Sequence, residues 1–125
     1  MNSITLKPEL SELSNLNEFI LNELAQDNLK VNLIVEEIFV NIVNYSKTSF
    51  ITVNVEFNEP ILTLEFIDNG IKFNPLLKED PNFPDNIDEA QIGGLGIFLT
   101  KKLSDELNYH YSNGENHLKI IKKVE

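Results

Sequence analysis

Residues 31–45 (VNLIVEEIFVNIVNY) are apolar over most of their length, and their spacing predicts a helix buried in a core. On a helical wheel Glu37, Asn41 and Asn44 stand at i, i+4 and i+7, within about 60° of one another. Val31, Val35, Ile38, Phe39 and Ile42 take the far side. A strip of one carboxylate and two carboxamides on so apolar a helix costs free energy unless partners satisfy it. Upstream, residues 3–7 predict a short strand. Residues 9–27 then keep a 3.6-residue period through Leu10, Leu13, Leu16, Phe19, Ile20 and Leu24, which predicts an amphipathic helix. The break between the two helices falls at Asp27-Asn28, and the second should end near Ser46.

The period then changes to two. Ile51, Val53, Val55 and Phe57 alternate with Thr52, Asn54 and Glu56 across residues 50–57, and Leu62, Leu64 and Phe66 alternate with Thr63 and Glu65 across residues 61–68. Asn58-Glu59-Pro60 is a short turn between them, so the two strands predict an antiparallel hairpin. Asp68 shares the parity of Leu62, Leu64 and Phe66, which aims a carboxylate at the core side of its strand end. Residues 69–93 lose periodicity and carry Pro75, Pro81 and Pro84; a long irregular stretch between two glycine motifs predicts a lid. Residues 94–107 predict a third helix, with Leu95, Leu99 and Leu103 inward. Residues 109–112 and 117–124 predict two further strands around Asn113-Gly114. The order β–α–α–β–β–lid–α–β–β predicts one domain over residues 1–125, of α+β class. Its form is a two-layer α/β sandwich, a mixed but mostly antiparallel sheet with three helices on one face.

Composition narrows what such a domain can do. The chain has 125 residues, a formal charge of −10 and no arginine, so all ten of its basic residues are lysines. That balance argues against nucleic acid as a partner. Any phosphate must be held by backbone N–H groups, lysine or a metal ion rather than an arginine fork. No cysteine is present, and His110 and His117 are the only histidines, which excludes thiolate chemistry and leaves little for a zinc site. MNSITLKPEL lacks the basic and apolar regions of a signal peptide, and no apolar run has the length of a membrane span; the expectation is a cytoplasmic chain with no membrane partner.

Three clusters could carry chemistry. Gly93-Gly94-Leu95-Gly96 precedes a predicted helix, where glycines admit a close ligand and the helix N-terminus favours phosphate; a tight turn alone would also use them. Asp68-Asn69-Gly70 could be a hairpin turn, but IKFNPLLKED does not alternate and offers no partner strand. The carboxylate then needs a donor, either the amino group of a purine or a backbone N–H. Glu37 with Asn41 could simply edge the core. It could equally supply a general base and a hard oxygen ligand for Mg²⁺ one turn on.

Glu37-x-x-x-Asn41 on a helix, Asp68-x-Gly70 after a core strand and Gly94-x-Gly96 before a later helix resemble the three boxes of the GHKL (Bergerat-fold) ATPases. EEIFVNIVNYS, IDNGIKFNP and IGGLGIFLTKKLSDEL are most similar to the anti-sigma-factor serine kinases within that superfamily, and the resemblance covers about residues 1–123. It implies an ATP-binding fold with Glu37 as catalytic base and Asn41 as the Mg²⁺ ligand bridging to phosphate. Asp68 would read the adenine amino group and Gly70 would let adenine approach. Gly93, Gly94, Leu95 and Gly96 would line the phosphates, with Asn44 on the phosphate side or the pocket rim. Phe73-Asn74-Pro75 fits the anti-sigma subgroup, residues 69–93 correspond to the ATP lid, and no late-strand threonine for adenine is evident in HLKIIKKV.

The function implied is an ATP-dependent protein serine/threonine kinase. It would bind and phosphorylate a regulatory protein of the sigma-factor or anti-anti-sigma-factor type, and relatives commonly form homodimers. The other reading is a module whose partner binding responds to ATP or ADP without phosphate transfer.

Overall fold

The computed structural model describes residues 2–74 and 100–124. Five strands form one sheet in the order β1-β2-β3-β5-β4. They are β1 (Asn2–Leu6), β2 (Ile51–Asn58), β3 (Ile61–Asp68), β4 (Glu106–Ser112) and β5 (Glu115–Lys123). All four neighbouring pairs are antiparallel. Two helices, α1 (Leu13–Leu24) and α2 (Leu29–Tyr45), follow β1, with a 3₁₀ turn at Leu10–Glu12 leading into the first. Residues 100–103 are the described part of a third helix.

The alternation read from the sequence sets the two faces of the sheet. Ile51, Val53 and Val55 of β2, Leu62, Leu64 and Phe66 of β3, and Leu118 and Ile120 of β5 are buried. They join one core with Leu16, Ile20 and Leu24 of α1 and Val31, Ile34, Val35, Ile38, Phe39 and Ile42 of α2. The opposite face carries Thr5 on Thr52, Asn54 beside Glu65, and a stacked pair of imidazoles, His110 on His117, with ring centroids 4.4 Å apart. An antiparallel sheet with helices on one side can leave the other to solvent, and these side chains suit that role.

Element ends depart from the predicted ones for local reasons. Helix α1 stops at Leu24 rather than Asp27 because Ala25 takes a left-handed conformation (φ 58°) and donates its N–H to the Leu21 carbonyl. Helix α2 starts at Leu29, where the Asn28 side chain caps it by accepting the Val31 N–H at 3.0 Å. The third helix ends at residue 103, not 107. Glu106 and Leu107 already pair with Ile121 and Ile120 in β4, and the Asp105 N–H bonds the Ile121 carbonyl. The alternation of Leu107 and Tyr109 with Asn108 and His110 prevails there over the helical period.

Candidate functional site

Asp68 ends β3 with its side chain inward and is 5% exposed. A buried carboxylate needs donors, and three converge on its Oδ1: Ser46 Oγ at 2.6 Å, Gly70 N–H at 2.9 Å and Asn116 Nδ2 at 3.0 Å. Each donor has a structural origin. Ser46 is the C-terminal cap of α2, with its own N–H on the Ile42 carbonyl. Gly70 reaches back two residues from the turn after β3. Asn116 is the residue that the β3–β5 register sets opposite Asp68.

The turn itself is pressed against the helix end. A Cβ on Gly70 would lie 1.8 Å from Ser46 Oγ, 2.1 Å from its carbonyl oxygen and 2.8 Å from its carbonyl carbon. Only glycine permits that approach, which the Ile71 N–H completes with a 2.8 Å bond to the Ser46 carbonyl. Alongside, Thr48 Oγ1 accepts the Asn69 N–H at 3.0 Å, and Asn69 Oδ1 accepts the Ser49 N–H at 2.9 Å. Asp68-Asn69-Gly70 is therefore not a plain hairpin turn but a junction between the α2–β2 loop and the end of β3.

Asn116 ties the next residues in. Its Nδ2 also donates to the Ile71 carbonyl at 2.9 Å, and its Oδ1 accepts the Phe73 N–H at 3.1 Å and the Tyr109 hydroxyl. Two donors and two acceptor positions exhaust what a carboxamide has. Burial, the main cause, raises the Tyr109 hydroxyl above its ordinary range, so it remains a protonated donor.

Beside this cluster lies a pocket, part of it open to solvent. Ile38, Ile42, Phe66 and Leu118 form its apolar walls, Tyr45, Ile71, Phe73 and Tyr109 stand around them, and Asn41, Ser46, Asp68 and Asn116 supply its polar atoms. A mostly apolar cleft with a few convergent polar groups has the character of a small-molecule site. The structure thus brings Asn41, Asp68 and Phe73 to one pocket. Glu37 lies one turn before Asn41 on α2 and is half-buried; burial, then the neighbouring Glu36, raises its carboxyl above the ordinary value of 4.5. Asn44 is exposed and outside the pocket lining, so water can satisfy its carboxamide. Gly93, Gly94, Leu95 and Gly96, with most of the expected lid, lie outside the described residues. Among the described residues no three His, Cys, Asp or Glu side chains gather where a metal could sit, and no helix is long and apolar enough to cross a membrane.

Ser46, Tyr109 and Asn116 are site residues that sequence reasoning missed. Asn116 has the inward parity of Leu118 and Ile120, the signal that picked out Asp68. The predicted strand over residues 117–124 excludes it, whereas β5 begins at Glu115, two residues earlier.

Comparison with known proteins agrees with this architecture. The histidine kinase-like ATPase domain family matches residues 9–122. A serine/threonine-protein kinase of Bordetella bronchiseptica, BtrW, is 32% identical over 59 residues, which are 47% of this chain and 42% of that protein's length. The structure of the Acinetobacter baumannii histidine kinase AdeS superimposes with a TM-score of 0.54 over 99% of this chain and 68% of that one, at 12% identity, a likeness of fold. With the family match spanning nearly all of the sequence over a two-layer α+β sandwich, the chain belongs to the histidine kinase-like ATPase domain family, of GHKL type.

Proposed function

We propose that this ATPase-type domain is a protein serine/threonine kinase that binds ATP with Mg²⁺ and phosphorylates a regulatory protein of the sigma-factor or anti-anti-sigma-factor type. The observation that carries the reading is the pocket itself. A buried carboxylate, Asp68, closes an apolar cleft whose wall on α2 bears Asn41, with Glu37 one turn further along the same face. The base of the nucleotide would lie against Ile38, Ile42, Phe66 and Leu118, its amino group donating to Asp68. Tyr45, Ile71 and Phe73 offer apolar cover at the mouth. The donor set fits Mg²⁺ as a nucleotide-borne ion, which takes one or two protein oxygens with the phosphates rather than a protein cage. Asn41 would hold it through its carboxamide oxygen, and the ion would neutralise phosphate charge.

Glu37 acts as the base. Its carboxylate accepts the proton of a partner's serine or threonine hydroxyl as that oxygen bonds the γ-phosphorus; the bond from the γ-phosphorus to the β–γ bridging oxygen breaks, and ADP leaves. A base with a raised pKa suits this step, since proton transfer is most efficient when the base is poised nearer the working pH. The related BtrW, whose name is that of a serine/threonine-protein kinase, supports the reaction class.

Labelled ATP, Mg²⁺ and an extract of the source cell test the reading together. Wild-type chain should label a protein on serine or threonine, and Glu37→Gln should lower that labelling by roughly 10²–10⁴-fold with ATP affinity retained. Undiminished labelling by the variant would remove Glu37 from its role. Partner affinity that responds to ATP with no transfer at all would replace the kinase by a nucleotide-gated binding module.

A further inference from the structure

Asn116, Leu118 and Ile120 of β5 face the core, and Lys122 continues the same parity at the far end of the strand, half-buried. Its ammonium group makes no ion pair or hydrogen bond with a described residue, and neither does that of Lys30 in the first turn of α2. The two line one cleft with Leu29 and Lys123, at the opposite end of α2 from Ser46. Asp27 and Asp105 also reach it, but each carboxylate already accepts a bond from within, from Asn32 Nδ2 at 2.7 Å and from the Lys123 N–H. Three of the ten lysines against two acids invert the balance of a chain with twenty acidic residues.

We propose that this cleft docks an acidic segment of the phosphoacceptor protein, with its carboxylates on Lys30 and Lys122 and an apolar side chain on Leu29. The proposal rests on the kinase reading above and adds where the protein substrate is held and by what chemistry.

Two features favour an occupant from outside over lysines that merely face water. A half-buried ammonium gives up hydration without gaining a counter-charge, and Lys30 adds positive charge to the positive end of the α2 dipole, where acidic residues are favoured. A negative group in the cleft relieves both. Leu29 is 73% exposed, more than any other large apolar side chain among the described residues, and it gives such a segment an apolar seat beside its charges.

Position on α2 ties the cleft to the reaction. Lys30 stands seven residues before Glu37, about 20° from it around the helix and about 10 Å from it along the axis. Asn41 continues the same line into the nucleotide pocket. Displacement at phosphorus is in line, so the attacking hydroxyl comes from the side away from ADP, and the chain that carries it runs on towards Lys30. An extended segment covers about 10 Å in about three residues. The carboxylates therefore belong about three residues from the serine or threonine that is phosphorylated.

Fluorescence anisotropy of the full chain with a short fluorescein-labelled peptide, in which glutamates flank a leucine, tests the surface. Wild type should bind it, with affinity falling about fivefold as salt rises from roughly 0.05 to 0.3 M. The matching glutamine peptide should bind about tenfold more weakly or worse. Lys30→Glu with Lys122→Glu should weaken the glutamate peptide by about tenfold, and Lys30→Arg with Lys122→Arg should keep it, with ATP affinity unchanged in both. The charge-reversed variant should also lose about tenfold of the labelling that wild type gives with ATP, Mg²⁺ and source-cell extract. A wild type that does not bind the glutamate peptide, equal binding of the glutamine peptide, or binding or labelling that survives charge reversal overturns the proposal. Should Lys122→Glu disturb the strand end, Lys30→Glu carries the test alone, since an acid in the first turn of α2 favours the helix. A wild type that labels no protein overturns the kinase reading itself, whereas labelling that survives charge reversal overturns only the docking site.

Discussion

At Ser46 the end of α2 is joined to β3 and β5 through Asp68, Gly70, Ile71 and Asn116, whereas two turns earlier the same helix offers Glu37 and Asn41 with no side-chain hydrogen bond to another described residue. Both regions put polar groups on an apolar helix. At Ser46 they are satisfied from within, which fixes their geometry before any ligand arrives; preorganisation of that kind lowers the cost of binding. Along Glu37 and Asn41 the groups keep their capacity for something from outside. The difference suits recognition at one end and charge handling at the other.

The sharpest way to break the contrast is Asn41→Ala. It should lower Mg²⁺-dependent ATP affinity by about 100-fold with the circular dichroism spectrum unchanged, because the carboxamide makes no hydrogen bond to another described residue. Equal loss of affinity with and without Mg²⁺ would show that Asn41 belongs to the base end instead. Gly70→Ala should do the reverse, costing about 3 kcal/mol of stability in urea unfolding, since a Cβ cannot share space with the Ser46 backbone. An alanine tolerated there within about 0.5 kcal/mol would mean that the junction yields easily.

The smallest effect concerns Glu37 and has a definite sign. Its folded-state pKa lies above 4.5, so between that value and the raised one the folded chain holds more protons than the unfolded chain, and stability falls as pH rises through the window. Glu37→Gln should therefore melt slightly higher than wild type at pH 7, with the advantage gone below pH 4.5 in a series of thermal scans. A carboxylate kept at a stability cost is what a functional group, rather than a surface charge, would show.

These two regions were not equally legible in the sequence. The Glu37–Asn41 pairing could be read because it is local: one helix, one turn, one period. The hairpin of β2 and β3 was readable for the same reason, as was the inward parity of Asp68. The partners of Asp68 were not, because Ser46 is 22 residues away and Asn116 is 48, and nothing in a local period says which strand will lie beside β3. The sheet order, with β5 between β3 and β4, was missing from the alternation that found each strand. Gly70 was flagged by its motif, yet the contact that demands a glycine there is with Ser46, and that contact exists only in three dimensions.

The pairing of Asp68 with Asn116 also has a kinetic side. Closing a loop of 48 residues costs conformational entropy that local contacts do not, so β3 and β5 meet through the kind of long-range pairing that slows folding. Any form of the chain in which β5 is not docked lacks the Asn116 donor to the carboxylate and the acceptor for the Phe73 N–H. A nucleotide that prefers the finished arrangement will therefore bind the completed chain and not its partly folded forms. By mass action it draws the population towards the native state, so the concentration of ATP in the cell becomes one of the terms that decide how much of this protein is folded.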